Sequence, residues 1–292
     1  MLFFLVAFYL INSSLINNKV YKQLSLNQIK AEWSDDKAKY KFKLIPKWKL
    51  CEPDKQHRSF EKRELIRKTW TNSTLFPETR VIFTIGLTNY QLINNKLVEE
   101  SLKHNDLLQI DFIDSYFNMT IKIISSLYWI STYCSNSKFI LRVNDDVVVI
   151  VNMFSLVKYL REERKRNATN TMFGNVLSNG IVIRDPHSKY YIKMEEFAKS
   201  NYEPYCDGSA YILTQDLART YYELALVSHL PPFGVWLEDV YLGMLGHKVN
   251  TKLVNIVNSF VSTNQYDLLP KETKLSMVKS KGALDRFCLF MN

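Results

Sequence analysis

The chain has 292 residues, 47% of them apolar, and its 38 Lys and Arg against 29 Asp and Glu give a net charge of +9. The apolar share is enough for a sizeable core and excludes wholesale disorder. The basic excess admits nucleic acid, an anionic membrane surface or a phosphate-bearing substrate. Its one dense run, REERKR at 161–166, is broken by glutamates, however, and no helix–turn–helix, zinc-finger or RNA-binding pattern accompanies it, so no nucleic-acid partner is expected.

The first sixteen residues open on MLFFLVAFYLI, too short for an ordinary membrane span but the right length for a signal segment. No Lys or Arg precedes it, while Lys19 and Lys22 follow. Residues 1–16 therefore read as a signal peptide or short signal anchor that delivers the rest to the secretory lumen. A buried N-terminal strand or helix is the alternative. Sequons at Asn72, Asn118 and Asn167 fit a luminal glycoprotein. Cys51, Cys134, Cys206 and Cys288 show no CxxC pattern. They read as two disulfides, for example Cys51–Cys134 with Cys206–Cys288, or as four buried thiols in a reducing compartment.

Residues 17–50 are polar and read as a stem, with 40–50 as a candidate edge strand. Residues 51–292 show neither repeat nor linker and read as one domain. EPDKQHRS (52–59) reads as loop, then 60–70 as a helix burying Leu65, Ile66 and Trp70. RVIFTIG (80–86) is a strand stopped by glycine. The spacing predicts a helix over 89–104 with a stripe of Leu92, Ile93, Leu97 and Leu102. A short strand follows at 107–112, and a helix opens at Asp114 and runs to 133. KFILRVNDDVVVIV (138–151) has the composition of a doubly buried strand, interrupted by Asn144, Asp145 and Asp146. This strand–helix alternation predicts right-handed βαβ units, with helices flanking a mostly parallel sheet. Farther on come a helix over 152–165 and a hairpin-like excursion from 172 to 197. CDGSAYIL (206–213) is a turn into a strand or helix, followed by helices over 217–225 and after Trp236. A short strand at 253–261 and a terminal helix close the chain.

Two acidic pairs carry the chemistry: Asp145/Asp146 and Glu238/Asp239. Buried in an apolar strand, the first pair costs several kcal/mol unless a cation or donors compensate it. A strand ending near Val143 would deliver it to the sheet's carboxyl edge, where ligands sit in open α/β folds. Hard oxygens there suit Mg²⁺ or Mn²⁺ bridging a diphosphate; Asn-Asp-Asp is equally good turn chemistry. One carboxylate of the second pair can act as general base on a hydroxyl, or Glu238 can simply complement a helix N-terminus.

Five segments occur in order: RELIRKTW (63–70), DLLQIDFIDSYFNMTIK (106–122), KFILRVNDDVVV (138–149), YEPYCDGSAYILT (202–214) and EDVYLG (238–243). Together they resemble the β1,3-galactosyltransferase and β1,3-N-acetylglucosaminyltransferase family, glycosyltransferase family 31. The resemblance implies a GT-A fold with a Rossmann-like sheet, a UDP-sugar donor, Mn²⁺ and inversion at the anomeric carbon. It also implies a single-pass type II Golgi membrane protein with its catalytic domain in the lumen, acting on a glycan of a glycoprotein or glycolipid. Asp146 then corresponds to the direct metal ligand, with Asp145 less direct and Asn144 in place of a first aspartate. Asp239 corresponds to the general base, with Glu238 supporting it. Arg67 and Trp70 lie in the helix lining the nucleotide, and Gly208 and Tyr211 in the glycine loop between donor and acceptor.

Three departures accompany the resemblance. CDGSAY lacks a second glycine. Lys279 in SMVKS stands where a metal-ligating histidine is usual. No apolar strand precedes Arg63, so an interior strand of the sheet is missing from its expected place. These departures leave a second reading open, a non-catalytic member that binds nucleotide or glycan.

Overall fold

The computed structural model describes residues 3–9, 24–25, 53–68, 71, 79–144, 153–228 and 237–256. Their strands form one eight-stranded sheet in the order β2-β4-β3-β1-β5-β7-β6-β8. The strands are β1 Phe3–Tyr9, β2 Leu24–Ser25, β3 Thr79–Leu87, β4 Leu107–Ile113, β5 Ser137–Asn144, β6 Thr171–Leu177, β7 Tyr205–Thr214 and β8 Lys252–Asn255. Helices α1 Pro53–Lys68, α2 Gln91–His104, α3 Met119–Tyr133, α4 Met153–Lys165, α5 Gln215–Val227 and α6 Glu238–Lys248 connect them.

The sheet is mixed. β1 and β7 are antiparallel to both neighbours, so four of the seven pairings are antiparallel. The β2–β4, β3–β4 and β6–β8 pairings are parallel. The expected predominance of parallel strands thus holds for strand direction, six strands running one way, but not for the pairings. The two reversed strands account for this. β7 returns from the long excursion after β6, and β1 lies between β3 and β5. The N-terminal apolar run therefore fills the position where the sequence lacked an interior strand. No helix among the described residues is long and apolar enough to cross a membrane.

Helices cover both faces. Phe139, Leu141 and Val143 of β5 point to one side, with Ile66 of α1, Leu97 of α2 and Leu156 and Leu160 of α4. Ile140 points to the other, with Ile124 and Leu127 of α3, Leu217 and Tyr221 of α5 and Leu242 of α6. By the two-residue alternation of a strand, Arg142 and Asn144 share that second face.

Two local expectations need correction. The run read as loop at 52–59 is the first half of α1, whose first residue is Pro53; proline's fixed φ suits the opening turn of a helix. In α2, Leu97 is buried but Leu92 and Leu102 are 78% and 83% exposed. Its buried face is completed instead by Glu100, three residues beyond Leu97, which is held by Arg63 of α1. Leu65 and Trp70 fall outside the side chains the structure describes, as do the proposed strands at 40–50 and 257–261, the terminal helix and Asn72. Cys134 and Cys206 are buried, and burial pushes the Cys206 thiol up to about 12. Cys51 and Cys288 lie outside the described residues.

Candidate active site

Three elements converge on the α3/α5/α6 side of the sheet. β5 supplies Arg142 and Asn144, β7 supplies Asp207, Gly208 and Tyr211, and the first turn of α6 supplies Glu238 and Asp239. Carboxylates at a helix N-terminus meet unpaired N–H groups and the positive end of the helix dipole.

Glu238 is 1% exposed. Its Oε1 lies 2.5 Å from Nη2 of Arg142, and its Oε2 accepts a hydrogen bond from the Tyr211 hydroxyl at 3.2 Å. The Arg142 guanidinium lies 5.4 Å from the centroid of the Tyr211 ring, a cation–π contact sealed from water. Burial pushes the Glu238 carboxyl up to about 8; Arg142 opposes this, and the neighbouring Asp239 adds to it.

Asp239 is held through both oxygens. Oδ1 accepts the Val240 N–H at 2.9 Å, and Oδ2 accepts the Gly208 N–H at 3.0 Å. A Cβ on Gly208 would meet Asp239 Oδ2 at 2.9 Å and Glu238 Oε1 at 3.1 Å, so a side chain there would displace the carboxylates. Glycine is required for the close approach rather than for its turn conformation. Burial raises the Asp239 carboxyl, the Val240 N–H and Arg142 pull it back, and Asp207 pushes it further up. The result is a fixed carboxylate with its proton affinity moved toward neutrality, as a general base requires.

Tyrosines gather around it. Burial raises the hydroxyls of Tyr116, Tyr202 and Tyr205, Tyr202 to about 12, and the Asp239 charge contributes to each. The excursion between β6 and β7 brings Tyr202 and Tyr190 here. Val182, Ile192, Phe197 and Tyr202 pack on Leu237 and Val240 at the start of α6, and Tyr190 hydrogen-bonds Tyr116.

Asn144, at the end of β5, is 5% exposed, and among the described residues its Oδ1 has no hydrogen-bond partner. A buried amide oxygen left unpaired costs roughly 1–3 kcal/mol, so this atom is a natural acceptor for a ligand hydroxyl or water. Asp145, Asp146 and Trp70 lie outside the described residues, as does Lys279. Among the described residues no group of three His, Cys, Asp or Glu side chains is arranged to hold a metal ion.

Arg67 sits in a different cluster, on α1. Its Nε and Nη2 donate to Asp106 at 2.7 Å, Nη2 also donates to Glu100 at 2.8 Å, and Arg63 donates to Glu100 at 2.8 and 2.5 Å. Of the residues singled out in the sequence, the structure thus unites Asn144, Gly208, Tyr211, Glu238 and Asp239 around one sheet edge, with Arg67 engaged elsewhere. Arg142 was missed. Its signal was a lone cation in an apolar strand, FILRV, where a buried charge must have a partner.

The Galactosyltransferase family model matches residues 61–257. Over 195 residues the chain is 33% identical to human "Beta-1,3-galactosyltransferase 1", covering 66% of this chain and 58% of that protein. It is 30% identical over 199 residues to human "Lactosylceramide 1,3-N-acetyl-beta-D-glucosaminyltransferase", covering 65% and 51%. Over 201 residues it is 31% identical to chimpanzee "Beta-1,3-galactosyltransferase 5", covering 68% and 64%. The chain therefore spans between half and two thirds of the length of these relatives. With the family model matching most of the chain, and with the motifs around β5, β7 and α6 folded into one site, the chain belongs to the galactosyltransferase family, glycosyltransferase family 31.

Proposed function

We propose that the chain is an inverting hexosyltransferase of GT-A type, moving galactose or N-acetylglucosamine from a UDP-sugar to the 3-hydroxyl of an acceptor glycan. The observation that carries this reading is the seat of Asp239: a carboxylate fixed by two backbone N–H groups, beside a buried Arg142–Glu238 pair and under a group of tyrosines. Asp239 accepts the proton of the acceptor hydroxyl as its oxygen bonds the anomeric carbon. The bond from that carbon to the diphosphate breaks on the opposite face, and UDP leaves with the electron pair. Gly208 and Val240 keep the base from rotating. Glu238, clamped by Arg142 and Tyr211, anchors the turn that carries it.

Mn²⁺ or another divalent cation fits the end of β5, where Asp146 and Asp145 follow directly on Asn144 in the sequence and the Asn144 Oδ1 is unpartnered among the described residues. Such a cation would neutralise the charge of the diphosphate leaving group. Asp146 and Asp145 would hold it, with Asn144 receiving a hydrogen bond from a ribose hydroxyl or a metal-bound water. We place the domain on the luminal side of the Golgi membrane as a type II protein, as the family resemblance implies; residues 1–16 and the sequons agree with a secretory route. Membrane insertion of Phe3–Tyr9 and its pairing as β1 are mutually exclusive, and carbonate extraction of the full-length chain, which releases a protein with these residues in the sheet and retains one with them in the bilayer, decides between them.

UDP release with Mn²⁺, a UDP-sugar and an acceptor glycan tests the reading. Asp146→Ala should abolish release, and unchanged turnover in that variant overturns it. UDP binding by calorimetry without turnover across an acceptor array would instead support the non-catalytic reading, which the uncharged Asn144 favours.

A further inference from the structure

Asp207 stands one residue before the glycine that holds the base, and the transfer step above gives it no contact with the acceptor. Its Oδ1 accepts the Ser209 N–H at 2.8 Å and the Ser209 hydroxyl, which fix the carboxylate in one orientation. Among the described residues no hydrogen bond reaches its Oδ2 and no cation lies within ion-pair distance of it. The residue is half-buried. Its charge is felt by Asp239, Glu238, Tyr205 and Cys206, each of whose proton affinities it raises. Glu238 has Arg142 beside it; Asp207 has no such partner. Among the described residues two cations reach the tyrosine rim: Arg184, whose charge acts on Tyr202 and whose guanidinium is held by backbone carbonyls of the excursion, and Lys189, whose Nζ lies 4.6 Å from the centre of the Tyr190 ring and 5.8 Å from that of Tyr116.

We propose that Asp207 is a specificity-determining residue of the acceptor site, selecting an uncharged sugar and rejecting one that carries a carboxylate or sulfate near the reacting hydroxyl. The inference rests on the transferase reading, because it places the acceptor beside Asp239. A neutral sugar presents a hydroxyl next to the reacting one, and this hydroxyl donates to the open Oδ2 of Asp207 while Asp239 accepts from the reacting hydroxyl. An anionic sugar offers no donor at the corresponding point and meets two carboxylates. Selectivity thus comes from a repulsive element as much as an attractive one. The tyrosine faces supply apolar contact for the sugar ring and do not discriminate charge. Lys189 works in the opposite sense, favouring the anion.

The test compares a neutral hexopyranoside with its 4-O-sulfate, in which the anion replaces a hydroxyl next to the reacting 3-hydroxyl, as acceptor, for the wild type, Asp207→Asn, Asp207→Ser and Lys189→Ala. Initial rates separate KM from kcat, and saturation-transfer NMR without donor reports sugar binding independently of turnover. Wild type should bind the neutral sugar more tightly, and Asp207→Asn should shrink that preference roughly three- to five-fold, the scale of a partly exposed charge interaction. The change should lie in the ratio of the two acceptors' KM values, with donor KM held; any shift of kcat through the lowered proton affinity of Asp239 falls on both acceptors alike and leaves that ratio in place. Lys189→Ala should widen the preference, and Asp207→Ser should repeat the effect of Asp207→Asn. Equal affinity of the wild type for both sugars, an unchanged ratio in both Asp207 variants, or a fall in kcat alone overturns the proposal. If the wild type binds the neutral sugar but releases no UDP, the transferase reading fails, and the NMR affinity ratio still decides the role of Asp207. Binding of neither sugar overturns both.

Discussion

Two arginine–carboxylate clusters lie on this sheet, and their charge balance differs. On α1, Arg63, Arg67 and Lys68 face Glu100, Asp106 and Glu64, three cations to three carboxylates, with five hydrogen bonds joining the two arginines to Glu100 and Asp106. Burial alone would raise the Glu100 carboxyl, yet its bonds to Arg63 and Arg67 win and lower it. Burial also works against the Arg67 cation, and its carboxylate partners again win and raise its proton affinity. At the edge formed by β5, β7 and α6, one arginine faces three carboxylates, Glu238, Asp239 and Asp207. There burial prevails, and both Glu238 and Asp239 are held above the usual carboxylate range. A matched cluster ties elements together. An unmatched one stores proton affinity and calls for a further cation or a proton donor, which is what a sugar-transfer site provides.

The largest effect should come from removing the base. Asp239→Asn keeps the shape of the side chain, but its amide can accept from only one of the two backbone N–H groups and cannot take a proton. Transfer should fall by roughly 10²- to 10⁴-fold with acceptor binding by NMR retained. An Asp239→Asn protein turning over within ten-fold of wild type would break the contrast between the clusters.

Stability should respond in the opposite place. Arg63→Met removes two of the three arginine hydrogen bonds on the buried Glu100, leaves it to Arg67 alone, and should cost about 3 kcal/mol, read by urea denaturation. Arg142→Met removes an equally buried guanidinium, yet Glu238 can answer by holding a proton, since its carboxyl titrates at about 8. Below that pH, Arg142→Met should therefore destabilise less than Arg63→Met, while lowering kcat. Equal losses of stability in the two variants would show that charge balance does not distinguish the clusters.

The smallest effect should be the pH slope. Glu100 is lowered in the fold, so its stabilisation is present above its unfolded value, 4.5, and is lost as pH falls through its folded value. Glu238 is raised, so the folded chain keeps a proton that the unfolded chain releases near 4.5. Its contribution is intact below that pH and is lost as pH rises through about 8. Glu100→Gln should flatten the acid limb of the stability profile, and Glu238→Gln the alkaline limb. Denaturation midpoints from about pH 2 to 9 read both, and a Glu238→Gln profile parallel to wild type would remove the claim of a raised carboxyl.

Much of this arrangement was legible before any coordinates. The end of the strand at Asn144, the alternation of strands and helices from β3 to β5, and the placing of Glu238 and Asp239 at a helix start all follow from local periodicity and from the cost of burying carboxylates. The burial of α2 was misread because periodicity sees only apolar residues, and Glu100 is buried through an ion pair with another helix. The first half of α1 was missed because EPDKQHRS contains no apolar period, although Pro53 was a usable start signal.

Residue order thus fixed the type and sequence of the elements, the acidic pairs at their ends and the family they belong to, because a strand or helix is written in the spacing of its own residues. Pairing across the sheet is written nowhere locally. That Arg142 meets Glu238, that the Gly208 N–H rather than a side chain holds Asp239, that Arg67 is engaged by Asp106 and Glu100, and that Phe3–Tyr9 closes the sheet between β3 and β5 all depend on which distant segments become neighbours. Those contacts set the charge balance at each cluster, and through it the difference between a structural ion pair and a base poised for chemistry.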